Sequence, residues 1–167
     1  MNTRTAQMMP ARRLTAARML LGGLALAGFN VGGWADANPA SFYRSFPGFG
    51  RHWLTPLGPF NEHLVRDFGS LNLGLAVAAL VAAICLTRSA TVTASLAWLA
   101  YLLPHLAFHA THGEMFSAGE NTAVLLSLVA PGIAAAVALY LVLSAPRPTH
   151  TNSPHAPASP TKTKVTT

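Results

Sequence analysis

Residues 68–86 read FGSLNLGLAVAALVAAICL, a run without one charged side chain. A helix rises 1.5 Å per residue and needs about 20 apolar residues to cross the hydrocarbon layer of a bilayer. This run supplies that length. Polar residues frame it: Asn61-Glu62-His63-Leu64-Val65-Arg66-Asp67 before it and Thr87-Arg88-Ser89 after it. Three further apolar stretches, at about 14–34, 94–109 and 121–143, have the same character. The fold class expected is therefore all-α, an integral membrane four-helix bundle. Its parts are a cytoplasmic lead (1–13), a four-span membrane domain (14–143), an aromatic-rich outer loop between the first two spans, and a disordered cytoplasmic tail (144–167). The tail is rich in Pro, Thr and Ser and cannot bury enough apolar surface to fold.

The charges follow the spans. Asp36, Glu62, Asp67, Glu114 and Glu120, all five acids of the chain, fall in the loops 35–67 and 110–120. Most of the basic residues, Arg4, Arg12, Arg13, Arg18, Arg88, Arg147, Lys162 and Lys164, fall at the N-terminus, in the middle connection and in the tail. Positive charge near span ends is retained in the cytoplasm. The expected location is the bacterial inner membrane, with both termini inside.

Composition agrees. The chain is 51% hydrophobic and 10% charged, where a soluble domain carries about 25% charged residues; its mean hydropathy is +0.39. The net charge of +6 comes from basic residues scattered at span ends, with no basic stripe interleaved with aromatics. That pattern argues against a nucleic-acid partner and for the lipid bilayer. The single cysteine, Cys85, lies in an Ala/Val/Leu run and has no partner for an internal disulfide, so it reads as a small hydrophobe.

The first span carries Gly28 and Gly32, a GxxxG pair that lets two helices approach closely, either between proteins or within one bundle. The same segment has a competing reading. Basic residues, then Met19–Gly33, then Ala35-Asp36-Ala37 resemble a signal peptide with a small-residue cleavage site, and Arg12-Arg13 hints at a twin-arginine signal. Beyond it, Ser41–Trp53 is crowded with aromatics and broken by Pro47, Gly48 and Gly50. It reads as an aromatic belt at the headgroup level, or as a lid over a ligand pocket. Pro104 and Pro131 each remove a backbone donor inside a span, which predicts kinks.

Two groups of residues bear chemistry. His105, His109 and His112 stand at i, i+4 and i+7, one stripe of the third span that Trp98 and Tyr101 extend. Ionisable residues in a span face the bundle interior or a watery cavity. Three roles are open to the histidines: interhelical hydrogen bonds, haem or metal ligation, and a polar ligand or proton site. Adjacent turns set ligands about 6 Å apart along a helix, which is poor spacing for three on one ion. The expected partner of the membrane histidines is instead Asp67 or a carbonyl freed by Pro104. The second group is Asn61–Asp67. Here Glu62 and Arg66 can pair at i, i+4, with His63 and Asp67 on the adjoining face; the plainer reading is an N-capped helix start with acids at the positive end of its dipole. Both groups fall at one end of the bundle. The expected ligand-binding set is therefore His63, Arg66, Asp67, His105, His109 and His112, a polar pocket under the aromatic loop, and removing Arg66 is expected to disturb the protein more than removing Arg88. No HExxH, CxxC, phosphate-loop or Rossmann glycine pattern occurs, and no catalytic residue or resident cofactor is assigned.

The stretch Arg18-Met19-Leu20-Leu21-Gly22, with Phe29 further along, resembles the first helix of DoxX-like membrane proteins. Ser41-Phe42-Tyr43, Phe46-Pro47-Gly48-Phe49-Gly50 and Asn61–Asp67 are similar to segments of small four-helix bacterial membrane proteins of that distant kind. The resemblance implies a four-helix fold and a link to quinone-coupled redox complexes. The lysine that closes the DoxX-like first-helix motif is absent here, so that activity does not carry over. The function expected is a binding or accessory protein whose outer pocket takes a small molecule, a lipid headgroup or a quinone. The alternatives are a haem-, metal- or quinone-linked redox subunit using the histidines of the third span, and a structural partner of another membrane protein using the small-residue face of the first.

Overall fold

The computed structural model describes residues 11–145. The first ten residues of the predicted lead and the predicted tail beyond residue 145 lie outside them. The described chain is all-α: α1 (Ala11–Ala37), the short α2 (Pro39–Ser45), α3 (Glu62–Cys85), α4 (Arg88–Thr111) and α5 (Ala118–Leu143), with single 3-10 turns at Thr55–Leu57 and Gly113–Met115. The four long helices, 24 to 27 residues each, are apolar and long enough to cross a membrane. The chain is thus a multi-pass membrane protein built as a four-helix bundle. Going round it, α1 packs on α3, α3 on α4, α4 on α5, and α5 back on α1.

Local sequence sets the helix starts. Asn61 Oδ1 accepts from Leu64 N at 3.1 Å at the head of α3, and Thr87 Oγ1 accepts from Ala90 N at 3.3 Å at the head of α4. Ser117 accepts from Glu120 N at 3.3 Å while its hydroxyl donates to the Glu120 carboxylate at 2.9 Å. Each of these side chains satisfies a backbone donor that has no partner inside the helix. Leu86 takes a left-handed conformation at φ 48° to end α3, and one residue later α4 is capped.

The closest contact between helices is α1 against α3. A methyl group on Gly28 would stand 2.9 Å from Ala76 Cβ, one on Gly32 would stand 2.7 Å from Gly69 O, and one on Gly69 would stand 2.8 Å from Asp36 N. The GxxxG pair is therefore spent inside the bundle, where backbone meets backbone. This corrects one expectation: Gly28 and Gly32 are buried and do not offer a surface to another protein. Gly22, Gly23 and Gly33 point to open space instead.

The bundle has two unlike ends. At the turn end, where α3 passes into α4, the core is small and tight: Leu21, Ala82, Ala83, Ala94 and Ala138 pack together. Arginines close that end by donating to carbonyls in the last turns of neighbouring helices. Arg18 Nε reaches Ala83 O at 3.1 Å, and Arg88 Nη1 reaches Val142 O at 2.9 Å. Those carbonyls lack intrahelical donors and carry the negative end of the helix dipole, so a guanidinium satisfies both needs. Larger side chains fill the middle layer, with Leu24, Leu75, Trp98 and Leu102 against Ala25, Ala79 and Ala135. At the loop end the helices no longer fill the space between them.

Candidate functional site

That space is a cavity of about 490 Å³, walled by all five helices and by the connection between α2 and α3. The connection is a folded lid. Trp53 N donates to Phe46 O at 2.9 Å, and the Tyr43 hydroxyl donates to Gly58 O at 2.6 Å. Gly58 sits at φ 141°, a conformation closed to most side chains, and this aims its carbonyl at Tyr43. Under the lid the aromatics touch in sequence. Phe46 lies 5.9 Å from Trp53 and 4.7 Å from Phe42, and Phe42 lies 5.8 Å from Phe68 of α3, centroid to centroid. Phe49, at the tip between Gly48 and Gly50, is fully exposed and takes no part.

One edge of α4 forms the opposite wall. Trp98, Tyr101, His105 and His109 follow one another at i, i+3, i+7 and i+11, with successive ring centroids 6.3, 5.5 and 5.0 Å apart. The Trp98 indole donates to Leu75 O at 3.2 Å and is 3% exposed, so it is a fixed part of the core. Tyr101 faces the side chain of Asn72, which is itself buried and donates to Phe68 O at 2.9 Å. His109 is 6% exposed, and its Nδ1 has no hydrogen-bond partner among the described residues. The same holds for the indole nitrogen of Trp53, in a residue 8% exposed. Buried polar atoms without partners are uncommon in proteins and lose free energy unless something binds them.

The expected site residues divide cleanly. His105 and His109 line the cavity. His112 does not: the helix stops at Thr111, and His112 turns back to stack on Phe108 at 4.4 Å, its Nδ1 3.0 Å from Phe108 O. The predicted three-histidine stripe thus ends after two. His63, Arg66 and Asp67 also lie off the cavity. Asn61, Leu64, Val65 and Phe68 face inward, and at 100° per residue this turns His63, Arg66 and Asp67 to the far side of α3. There His63 Nε2 stands 3.3 Å from Asp67 and Arg66 stands 2.9 Å from Glu62, with side chains 45–87% exposed. Arg66 also donates to Asp36 O, tying the end of α1 to the start of α3. This segment is the capped and ion-paired helix start of the plainer reading. Nor do the membrane histidines donate to Asp67, which is on the wrong face to receive them.

A single expected pocket is thus replaced by an apolar, aromatic chamber with one polar edge. Sequence reasoning did not place Asn72, Phe68 and Ser127 on its wall, whereas Trp53 belongs to the segment read as a belt or a lid. Asn72 carried the best available signal, an amide in the middle of an apolar span. Among the described residues no three His, Cys, Asp or Glu side chains gather as a metal site. No family model, curated protein or solved structure matches the chain.

Proposed function

We propose that this protein is a binding or accessory protein of the bacterial inner membrane, and that its loop-end cavity holds a small lipid-soluble molecule, a quinone being one such. The observation that carries this reading is the cavity itself. Its volume lies within the range of about 300–1,000 Å³ typical of ligand sites, its walls are mostly aromatic and aliphatic, and a few polar groups line one edge. The lid borders the chamber on the loop side. Ala27 and Val31 of α1 form part of the wall, which supports retention of the first span over its cleavage as a signal. The turn end, with Arg12, Arg13, Arg18 and Arg88, is assigned to the cytoplasmic side by its positive charge, which leaves the loop end periplasmic.

The haem- or metal-linked reading draws on the closeness of the His105 and His109 rings. One sample separates the readings. The full chain is purified in mild detergent, its absorbance recorded, and its organic extract analysed by mass spectrometry. A recurring small molecule at near one-to-one ratio is the expected result. A Soret band that vanishes in His109→Ala would move the protein to the redox class, and an extract holding bulk lipid alone would remove the binding reading.

A further inference from the structure

The binding reading leaves the ligand's chemistry open, and the lining of the cavity narrows it. We propose that the cavity selects an uncharged molecule, largely apolar, with one hydroxyl or carbonyl group anchored on the α4 edge at Tyr101 and His105. This inference rests on the binding reading and adds to it the charge and the polar pattern of the ligand.

The first observation is what the wall lacks. Among the described residues that line the cavity there is no Asp, Glu, Lys or Arg. The charged residues of the loop end are turned elsewhere: Glu62, Arg66 and Asp67 lie on the far face of α3, paired and exposed. A phosphate, carboxylate or ammonium drawn into the chamber would leave water and meet no counter-charge. An unpaired charge in such a site costs far more than a hydrogen-bonding group does.

The second observation is what the wall offers. Tyr101 and His105 bring a hydroxyl and an imidazole to one edge of the wall, with the buried His109 ring beyond them. The His109 Nδ1 and the Trp53 indole N–H are also without a protein partner, but both atoms are enclosed by protein rather than open to the chamber, so the anchor falls to Tyr101 and His105. A neutral imidazole has one donor and one acceptor, and a phenol can play either part. That set matches a hydroxyl group, which both donates and accepts, or a carbonyl, which accepts. The rest of the wall, from Phe42 and Phe46 to Phe68 and Leu128, suits an aliphatic or ring-bearing body by contact alone.

The test uses the full chain in phosphatidylcholine nanodiscs, as a Trp34→Phe variant, so that Trp53 and Trp98 on the cavity wall report by fluorescence. Four terminally brominated probes share one twelve-carbon tail: the alcohol, the plain alkane, the alkyl sulfate and the alkyltrimethylammonium. Bromine quenches a nearby indole. The alcohol is expected to quench saturably at a concentration about tenfold below that of either charged probe, a difference of about 1.4 kcal/mol. Tyr101→Phe with His105→Leu should raise the alcohol's midpoint to that of the alkane while leaving the alkane unmoved, which distinguishes a lost anchor from a collapsed cavity. Equal or tighter binding of the sulfate or the ammonium probe overturns the proposal while the binding reading stands. Equal binding of alcohol and alkane in the unaltered anchor overturns it as well. Absence of saturable quenching by every probe removes both the proposal and the binding reading.

Discussion

The two ends of the bundle use their polar residues in opposite ways. At the turn end every described arginine that points back toward the bundle has a protein acceptor: Arg18 on Ala83 O and Arg88 on Val142 O. The core beside them is built of alanines that let the helices close up. A hollow there lies between α1 and α3, over Gly22 and Gly23, and is bordered by the exposed Met19, Leu26 and Ile84. It is a groove on the outer face of the bundle. At the loop end α1 and α3 still meet at Gly32 and Gly69, but large aromatics line a space between them and α4 and α5. Polar groups that are fully satisfied make structure. An apolar wall with a few polar groups along one edge leaves a place for something else.

The largest expected effect lies where the two ends meet. Trp98 closes the floor of the chamber and anchors on Leu75 O. Trp98→Ala removes that bond and leaves a void, at a cost of about 3–5 kcal/mol. Thermal unfolding in detergent should show it as the most damaging single change, and the loss of bound molecule should accompany it. A variant as stable as the parent would mean that the floor is not held as described.

Next in size is the α1–α3 contact. Gly32→Leu sets a side chain against backbone at less than 3 Å and should cost at least about 1–3 kcal/mol through overpacking. Gly33→Leu, one residue away and facing open space, should leave the unfolding temperature almost unchanged. Equal losses in the two would show that the faces of α1 are assigned wrongly.

The smaller effects concern the arginines, where the structure reverses the expected order. Both arginines donate to a carbonyl at a helix end, but the Arg88 bond to Val142 O is half-buried, whereas the Arg66 bond to Asp36 O and its pair with Glu62 are open to water. Arg88→Gln should therefore lower stability by about 1–2 kcal/mol, in the range of a charge-assisted hydrogen bond. Arg66→Gln should cost less than about 1 kcal/mol, as exposed ion pairs do. Unfolding curves of the pair at low and high salt would check this, with the Arg66 variant's deficit fading as salt is added.

How much of this was legible in the sequence depends on the kind of signal. Spans are read from runs of about 20 residues, a signal too long to arise from any local detail, and the four helices follow it. Pro104 and Pro131 lie inside helices that nonetheless run through. The cavity was legible only in part. The Trp98–Tyr101–His105–His109 edge follows from helical spacing alone, so long as the helix continues. The loss of His112 from that edge depends on where α4 stops, and helix ends are set by one or two residues. The error over His63, Arg66 and Asp67 is one of rotation. Their level along the axis is right, but α3 has no charged residue within its span to fix which face points inward. That choice is made by the small buried face Gly69, Asn72, Ala76, Ala79 and Ala83, whose helical spacing is present in the sequence but is masked by the apolar residues on every other face. The lid was half legible: its aromatics were plain, and the Tyr43–Gly58 bond that folds it was not.

The central claim is that the loop end is a binding chamber and the turn end is closed structure. The most direct measurement is the amount of small molecule extracted per protein from two variants purified in parallel, Leu128→Trp and Arg88→Gln. Leu128 lines the chamber, and a tryptophan there should fill much of it. The account predicts that the extract of Leu128→Trp loses the bound molecule while that of Arg88→Gln keeps it at the parental ratio, despite the latter's lower stability. Equal ratios in the two extracts, or a loss confined to Arg88→Gln, would contradict it.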